Sequence, residues 1–200
     1  MSLLWGENSM IFTIGHSNRS WDEFLFILKH YDISFLVDIR RFPGSRLWPQ
    51  FNKKIMEKEL ANNNIKYLHI EKLGGRRQEK RNDNNTFDSR KKTYNNYAWE
   101  NKRFRSYADY MCSQQFREGI EELLSLKEQE EEKKYNINIA IMCAEALPWR
   151  CHRRLVSDYL LAIMNVEVYD IIDISHKSLH NLTLFACAKD GRITYPSKNK

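Results

Sequence analysis

Residues 33–41, ISFLVDIRR, place apolar side chains next to one another instead of alternating them with polar ones. A strand that is apolar on both faces must be covered on both, which is the signature of a parallel sheet between helical layers. MIFTIGHS (10–17), IKYLHIE (65–71), NINIAIMC (136–143) and VEVYDIID (166–173) read as further strands of that sheet. Helical patterns separate them. Ser20, with Glu23 three residues on, forms a capping box for WDEFLFILKHYD, where Trp21, Phe24, Leu25 and Leu28 recur at helical spacing. A second helix is expected over 52–64, a helical stretch over roughly 101–134, and a last helix over 149–165 with Pro148 at its first turn. ACAKDGRITYP ends the fold in a hairpin around Asp190-Gly191. Strands alternating with helices predict a single α/β domain over residues 10–200, with a mostly parallel sheet, helices on both faces and a C-terminal hairpin. Residues 1–9 are expected to be a tail ahead of a start at Met10.

No apolar run approaches the roughly 20 residues that span a bilayer, and the N-terminus has neither a basic nor a long apolar region of the secretory kind. The four cysteines, Cys112, Cys143, Cys151 and Cys187, do not sit in a small disulfide-rich chain. A reduced, cytoplasmic protein is therefore the expectation, with Cys112 and Cys187 as ordinary core residues. The net charge of +6 is uneven. Residues 76–105 hold ten Lys/Arg and four Asp/Glu, so this one segment carries the whole excess. Such a block favours phosphate-bearing partners, a nucleotide or nucleic acid. A solvated loop with no partner explains it equally simply. The polar insert at about 76–100 is too long for an ordinary connection. Among its aromatics and those just beyond, Phe104, Tyr107 and Tyr110 have core spacing, while Tyr94, Tyr97 and Trp99 are freer to stack on bases.

Ligands of parallel α/β folds bind at the C-terminal ends of the strands. That rule selects His16-Ser17, Asp38 to Arg41, His69 to Gly75, and Cys143 onward. Asp38 and Arg40 alternate on one strand face, so Asp38 can orient that arginine. Pro43-Gly44-Ser45 can shape a turn presenting Ser45 and Arg46, and Gly74-Gly75 permits close backbone approach. His16 and His152 are candidate acid/base groups, with Glu145 near His152; His30, His176 and His180 are expected at the surface or in turns. In MCAEALPWRCHRR (142–154), Cys143 ends a strand a few residues before a helix, where amide dipoles and Arg150, Arg153 and Arg154 favour a thiolate. The layout is similar to that of rhodaneses and cysteine phosphatases, with three departures: six residues separate Cys143 from Arg150, Glu145 repels anions, and Pro148 lacks an amide donor. Cys143, Cys151 and His152 match no common zinc spacing, so neither metal nor cofactor is expected.

TIGHSNRSWDEFLFILK, LVDIRRFPGSRLWPQF, IKYLHIEKLGGRR, RFRSYADYM, IAIMCAEALPWRCHRRLVSDYL and DGRITYP, in this order, resemble the domain of unknown function 488 family over about residues 11–196. The positions carrying the resemblance include His16, Asp38, Arg40, Ser45, Arg46, Gly74, Gly75, Arg77, Cys143, Glu145, Cys151, His152 and Arg153. That family is defined by its sequence and implies no particular reaction.

Taken together, the residues point to an enzyme acting on a phosphate-containing substrate. Cys143, Glu145, His152, Asp38 and His16 are its catalytic candidates. Arg40, Ser45, Arg46, Gly74, Gly75, Arg77, Arg150 and Arg153 are its anion-binding candidates. Two rival readings remain: a non-catalytic nucleic-acid-binding module using residues 76–105, and a rhodanese-like sulfur or redox protein using Cys143.

Overall fold

The computed structural model describes residues 10–76, 94–131 and 137–197, with the side chains of 127–131 left aside. Five parallel strands, β1 (Met10–Gly15), β2 (Ile33–Asp38), β3 (Lys66–His69), β4 (Asn138–Cys143) and β5 (Glu167–Ile171), lie in the order β3-β2-β4-β1-β5. A short antiparallel strand, β6 (Lys177–Leu179), extends the β5 edge; the sequence pattern shows no sign of it, because all three residues are exposed. The C-terminal hairpin pairs β7 (Cys187–Lys189) with β8 (Arg192–Thr194). Its turn residues Asp190 and Gly191 both have positive φ, as a two-residue hairpin turn requires.

Alternate strand residues feed two cores. Phe12, Ile14, Leu36, Ala140 and Met142 face α1 (Trp21–His30) and α2 (Lys53–Ala61), which contribute Phe24, Leu28, Met56 and Leu60. Ile11, Val37, Ile139, Ile141 and Val168 face α3 (Lys102–Met111), α4 (Gln114–Glu131) and α5 (Arg153–Ala162). Each large apolar side chain moved from water into these layers stabilises the fold by roughly 1.5–3 kcal/mol. The capping box of α1 is present in full, with Ser20 accepting from the Glu23 amide and Glu23 accepting from the Ser20 amide.

The helical stretch expected over 101–134 is two helices. Cys112 and Ser113 break it, and the Ser113 hydroxyl accepts from the Phe116 amide at the start of α4. The last helix likewise begins later than the sequence suggests. Pro148–Arg150 forms a single 3-10 turn, and α5 starts only at Arg153. Cys151 and His152 therefore sit on the connection between turn and helix.

Strands β1 and β4 are neighbours, yet β1 continues into α1 on one face and β4 into α5 on the other. Adjacent strands whose connections depart to opposite faces leave a crevice above their C-terminal ends. Among the described residues no helix is long and apolar enough to cross a membrane.

Candidate functional site

That crevice is a cavity of about 660 Å³. The backbone builds its floor. The His16 amide donates to the Cys143 carbonyl and the Ser17 amide to that of Ala144, continuing the β1–β4 ladder past the strands, while the Ile39 amide donates to the Met142 carbonyl on the other side. Gly15 makes this possible, because a Cβ there would lie 1.8 Å from the Glu145 carbonyl oxygen.

Asp38 is fully buried and holds Arg40 through Nε and Nη2, the latter at 2.6 Å. Tyr67 donates its hydroxyl to the same carboxylate at 2.7 Å, and burial followed by that negative charge pushes the phenol far above its usual range. Arg40 Nη2 also donates to the Phe51 carbonyl, and Nη1 faces His16 Nε2 at 3.2 Å. The guanidinium is thus fixed in one orientation on the cavity floor before any ligand arrives. His16 donates through Nδ1 to the Ser17 carbonyl, stacks on Phe51 with ring centroids 4.2 Å apart, and presents its Nε2 lone pair to Arg40. Burial, then the Arg40 charge, lowers its pKa to about 4, so its ring is neutral near pH 7.

Opposite lies a pair of thiols. Cys143 and Cys151 have their sulfurs 2.7 Å apart, and both line the cavity. Burial drives the Cys143 thiol well above its normal range. Cys151 is equally enclosed, which pushes it up, but the hydrogen bond from Cys143 and the Arg153 charge outweigh burial and bring it down to about 7. His152 donates through Nε2 to the Ile39 carbonyl, leaving Nδ1 as an acceptor 3.4 Å from the Cys151 sulfur. The thiol poised to ionise is therefore Cys151, whereas the sequence reading favoured Cys143. No spacing marks this exchange, because it depends on the contact between two sulfurs eight positions apart.

Five arginines line the cavity among the described residues: Arg40, Arg41, Arg76, Arg103 and Arg150. Glu145 is the one carboxylate among them. Its side chain is exposed, while its backbone is anchored by Arg153 and by Cys143. Phe42, Trp48, Phe104 and Tyr107 add aromatic surface.

Several residues singled out from the sequence sit elsewhere. Arg153, expected to hold an anion, is fully buried outside the cavity lining; it donates to the Glu145 and Ala146 carbonyls and to the Thr13 hydroxyl. A guanidinium so occupied shapes the loop that carries Glu145. Arg46 is exposed and outside the lining, whereas Ser45 lies within it, with its hydroxyl accepting from the Trp48 amide. The close approach expected at Gly74 and Gly75 is to protein: an added Cβ would meet the Arg41 backbone at 2.7 Å or the His152 ring at 2.9 Å. His69 donates to the Arg40 carbonyl. Arg77 and most of the 76–100 insert lie outside the described residues.

Other expectations need correction. Trp99 is buried against Phe104, Phe185 and Tyr195, so its ring is unavailable for stacking on a base. Cys187 is exposed and Cys112 half-buried, so neither is a plain core residue. His180 is buried, bridging Asp158 and Asp170 at 2.9 and 3.2 Å. Asp170 in turn accepts from Thr13, the hydroxyl that Arg153 also contacts. Arg41 lies in the strand-end stretch that the sequence selects, but Arg76 and Arg103 were singled out only as part of the basic segment and not as cavity residues. Among the described residues no group of three or more His, Cys, Asp or Glu side chains is placed to hold a metal ion.

Comparison with curated proteins and with solved structures gives no significant match. The model of the family described as Domain of unknown function DUF488 matches residues 20–160, which covers every strand and helix of the cavity except β1, and the chain belongs to that family.

Proposed function

We propose that the protein is an enzyme acting on a phosphate-containing substrate, a nucleotide or nucleic acid, bound in the arginine-lined cavity. The observation that carries this reading is the imbalance, among the described residues, of five arginines against one carboxylate in a single crevice at the strand ends. Guanidinium groups present planar, paired donors that match phosphate oxygens, and Arg40 is already held in place by Asp38 and His16. The aromatic rings of Phe42 and Trp48, both substantially exposed, offer surfaces for a base. In this reading Glu145 and His152 move protons, and the Cys143–Cys151 pair supplies the nucleophile, with Cys151 as the attacking sulfur. Asp38 and His16 position Arg40 without touching the substrate.

The non-catalytic alternative draws support from Arg76 and Arg103, which place both ends of the basic segment on the cavity wall. One experiment addresses both readings. A fluorescent nucleoside triphosphate and a short labelled single-stranded oligonucleotide are titrated at several salt concentrations, followed by mass-spectrometric search for conversion. The expected result is salt-sensitive binding that falls about tenfold or more in Arg41→Gln and Arg150→Gln, with conversion lost in Cys151→Ser. Binding without any conversion favours the module. No binding, or binding indifferent to the two arginines, overturns the phosphate reading altogether.

A further inference from the structure

We propose that Cys143 and Cys151 form a reversible thiol–disulfide site that reacts with hydroperoxides entering through the cavity. The geometry carries this inference. The two sulfurs are 2.7 Å apart although eight positions separate them in the chain, because Cys143 ends β4 and Cys151 lies on the connection into α5. Both line the cavity, so a small oxidant meets them from its interior. Their surroundings are unequal. Around Cys151, the Arg153 amide points at the sulfur at 3.5 Å, His152 Nδ1 lies at 3.4 Å, and Cys143 is the adjacent hydrogen-bond donor. Around Cys143, the Glu145 amide and carbonyl are the other near groups. One thiol is set up to ionise and the other to keep its proton, which is the division of labour between an attacking and a resolving cysteine.

In the first step the Cys151 thiolate attacks one oxygen of the hydroperoxide. A sulfur–oxygen bond forms and the oxygen–oxygen bond breaks. The departing alkoxide takes up the proton that Cys151 had released and leaves as an alcohol, or as water when the oxidant is hydrogen peroxide. Cys151 is then a sulfenic acid, oxidised by two electrons. In the second step the Cys143 sulfur attacks the Cys151 sulfur. The disulfide forms, the sulfur–oxygen bond breaks, and hydroxide leaves as water with the Cys143 proton. Two thiols and one hydroperoxide thus become one disulfide, one alcohol and one water. An external dithiol reverses the change by thiol–disulfide exchange. This chemistry does not rest on the phosphate reading, since it needs no phosphate ligand.

The test treats the native full-length protein with hydrogen peroxide, alkylates the remaining thiols, and maps peptides by mass spectrometry. The expected product is a Cys143–Cys151 cross-linked peptide that appears before exposed Cys187 is consumed and disappears with dithiothreitol. In Cys143→Ala the second step is blocked, and Cys151 accumulates as a dimedone-reactive sulfenic acid; in Cys151→Ala no adduct forms at Cys143. The wild-type cross-link needs neither variant, so poor folding of one does not rescue the proposal. Oxidation confined to Cys187, or Cys143 and Cys151 still both alkylatable after unfolding, overturns it. A cross-link obtained without any phosphate binding would leave this inference standing and remove the proposed function alone.

Discussion

Arg40 Nη1 and His16 Nε2 meet at 3.2 Å on the cavity floor, an imidazole accepting from a guanidinium. The pair exists only while His16 is neutral, because a protonated ring has no lone pair to offer and adds a second buried cation. Burial and then the Arg40 charge hold the folded pKa at about 4, below the ordinary imidazole value of 6.5.

A depressed histidine pKa stabilises the fold at high pH and withdraws that support at low pH. The His16 contribution is complete above about pH 6.5 and is lost as pH falls toward 4. It amounts to on the order of 3 kcal/mol. Denaturant unfolding between about pH 7 and pH 4 should show this loss, and His16→Gln, which cannot take up a proton, should flatten it. An unchanged slope in the variant would remove His16 from the acid limb.

His180 acts with the opposite sign. Burial lowers its pKa, but hydrogen bonds and charges from Asp158 and Asp170 outweigh burial and raise it to about 9. Its stabilisation is complete below about pH 6.5 and disappears as pH rises through about 9, again on the order of 3 kcal/mol. In His180→Gln the alkaline fall in unfolding free energy should vanish. Because Asp158 also accepts from Tyr195 and from the Thr183 amide, the same variant should loosen the C-terminal segment, read by faster amide exchange there.

The strands of the parallel sheet, the capping box of α1 and the tight hairpin turn were legible because each depends on local pattern. Apolar runs, a Ser-x-x-Glu spacing and an Asp-Gly pair state their own geometry. Convergence of Asp38, Arg40, His16 and Cys143 was legible through topology, since parallel strands bring their C-terminal ends to one edge. Three things were not. The burial of His180 depends on β6 pairing beside β5, and nothing within KSL announces that pairing. The buried Arg153 looks like any helix-start arginine until Thr13 and the Glu145 carbonyl are placed beside it. The exchange of roles between Cys143 and Cys151 turns on a 2.7 Å contact that spacing cannot specify.

Gly15 offers a backbone test of the loop over the strand ends. An added methyl would lie 1.8 Å from the Glu145 carbonyl oxygen, so Gly15→Ala must displace the loop that carries Glu145. The cost should reach the upper end of the roughly 1–3 kcal/mol typical of overpacking. Gly44→Ala is the control, because its nearest neighbour would be Asn52 Oδ1 at 3.8 Å. Equal melting temperatures for the two variants would contradict the close crossing.

Asp38→Ala strands the Arg40 charge in a buried position and leaves the Tyr67 hydroxyl without its acceptor. Removing one partner of such a pair costs about 3–5 kcal/mol, visible as a lowered denaturation midpoint. Arg40→Lys should lose less stability but cannot reproduce the forked contact with Asp38 and the reach to His16 together. Its anion affinity should therefore fall while its fold survives by circular dichroism.

Glu145 separates binding from chemistry. Its carboxylate is exposed at the rim of a cavity whose lining holds five arginines among the described residues, so it repels the phosphate that they attract. Glu145→Gln keeps the shape and removes the charge. Affinity for a fluorescent nucleoside triphosphate should rise by about two- to fivefold, the size of an exposed charge effect, and the gain should shrink with added salt. If Glu145 carries a proton during turnover, the same variant converts substrate far more slowly while holding it more tightly. The backbone of Glu145 is held by Arg153 and Cys143 irrespective of its side chain, so the loop should keep its place. Weaker binding in Glu145→Gln would mean that the carboxylate contacts the ligand favourably, and the phosphate would then have to bind elsewhere.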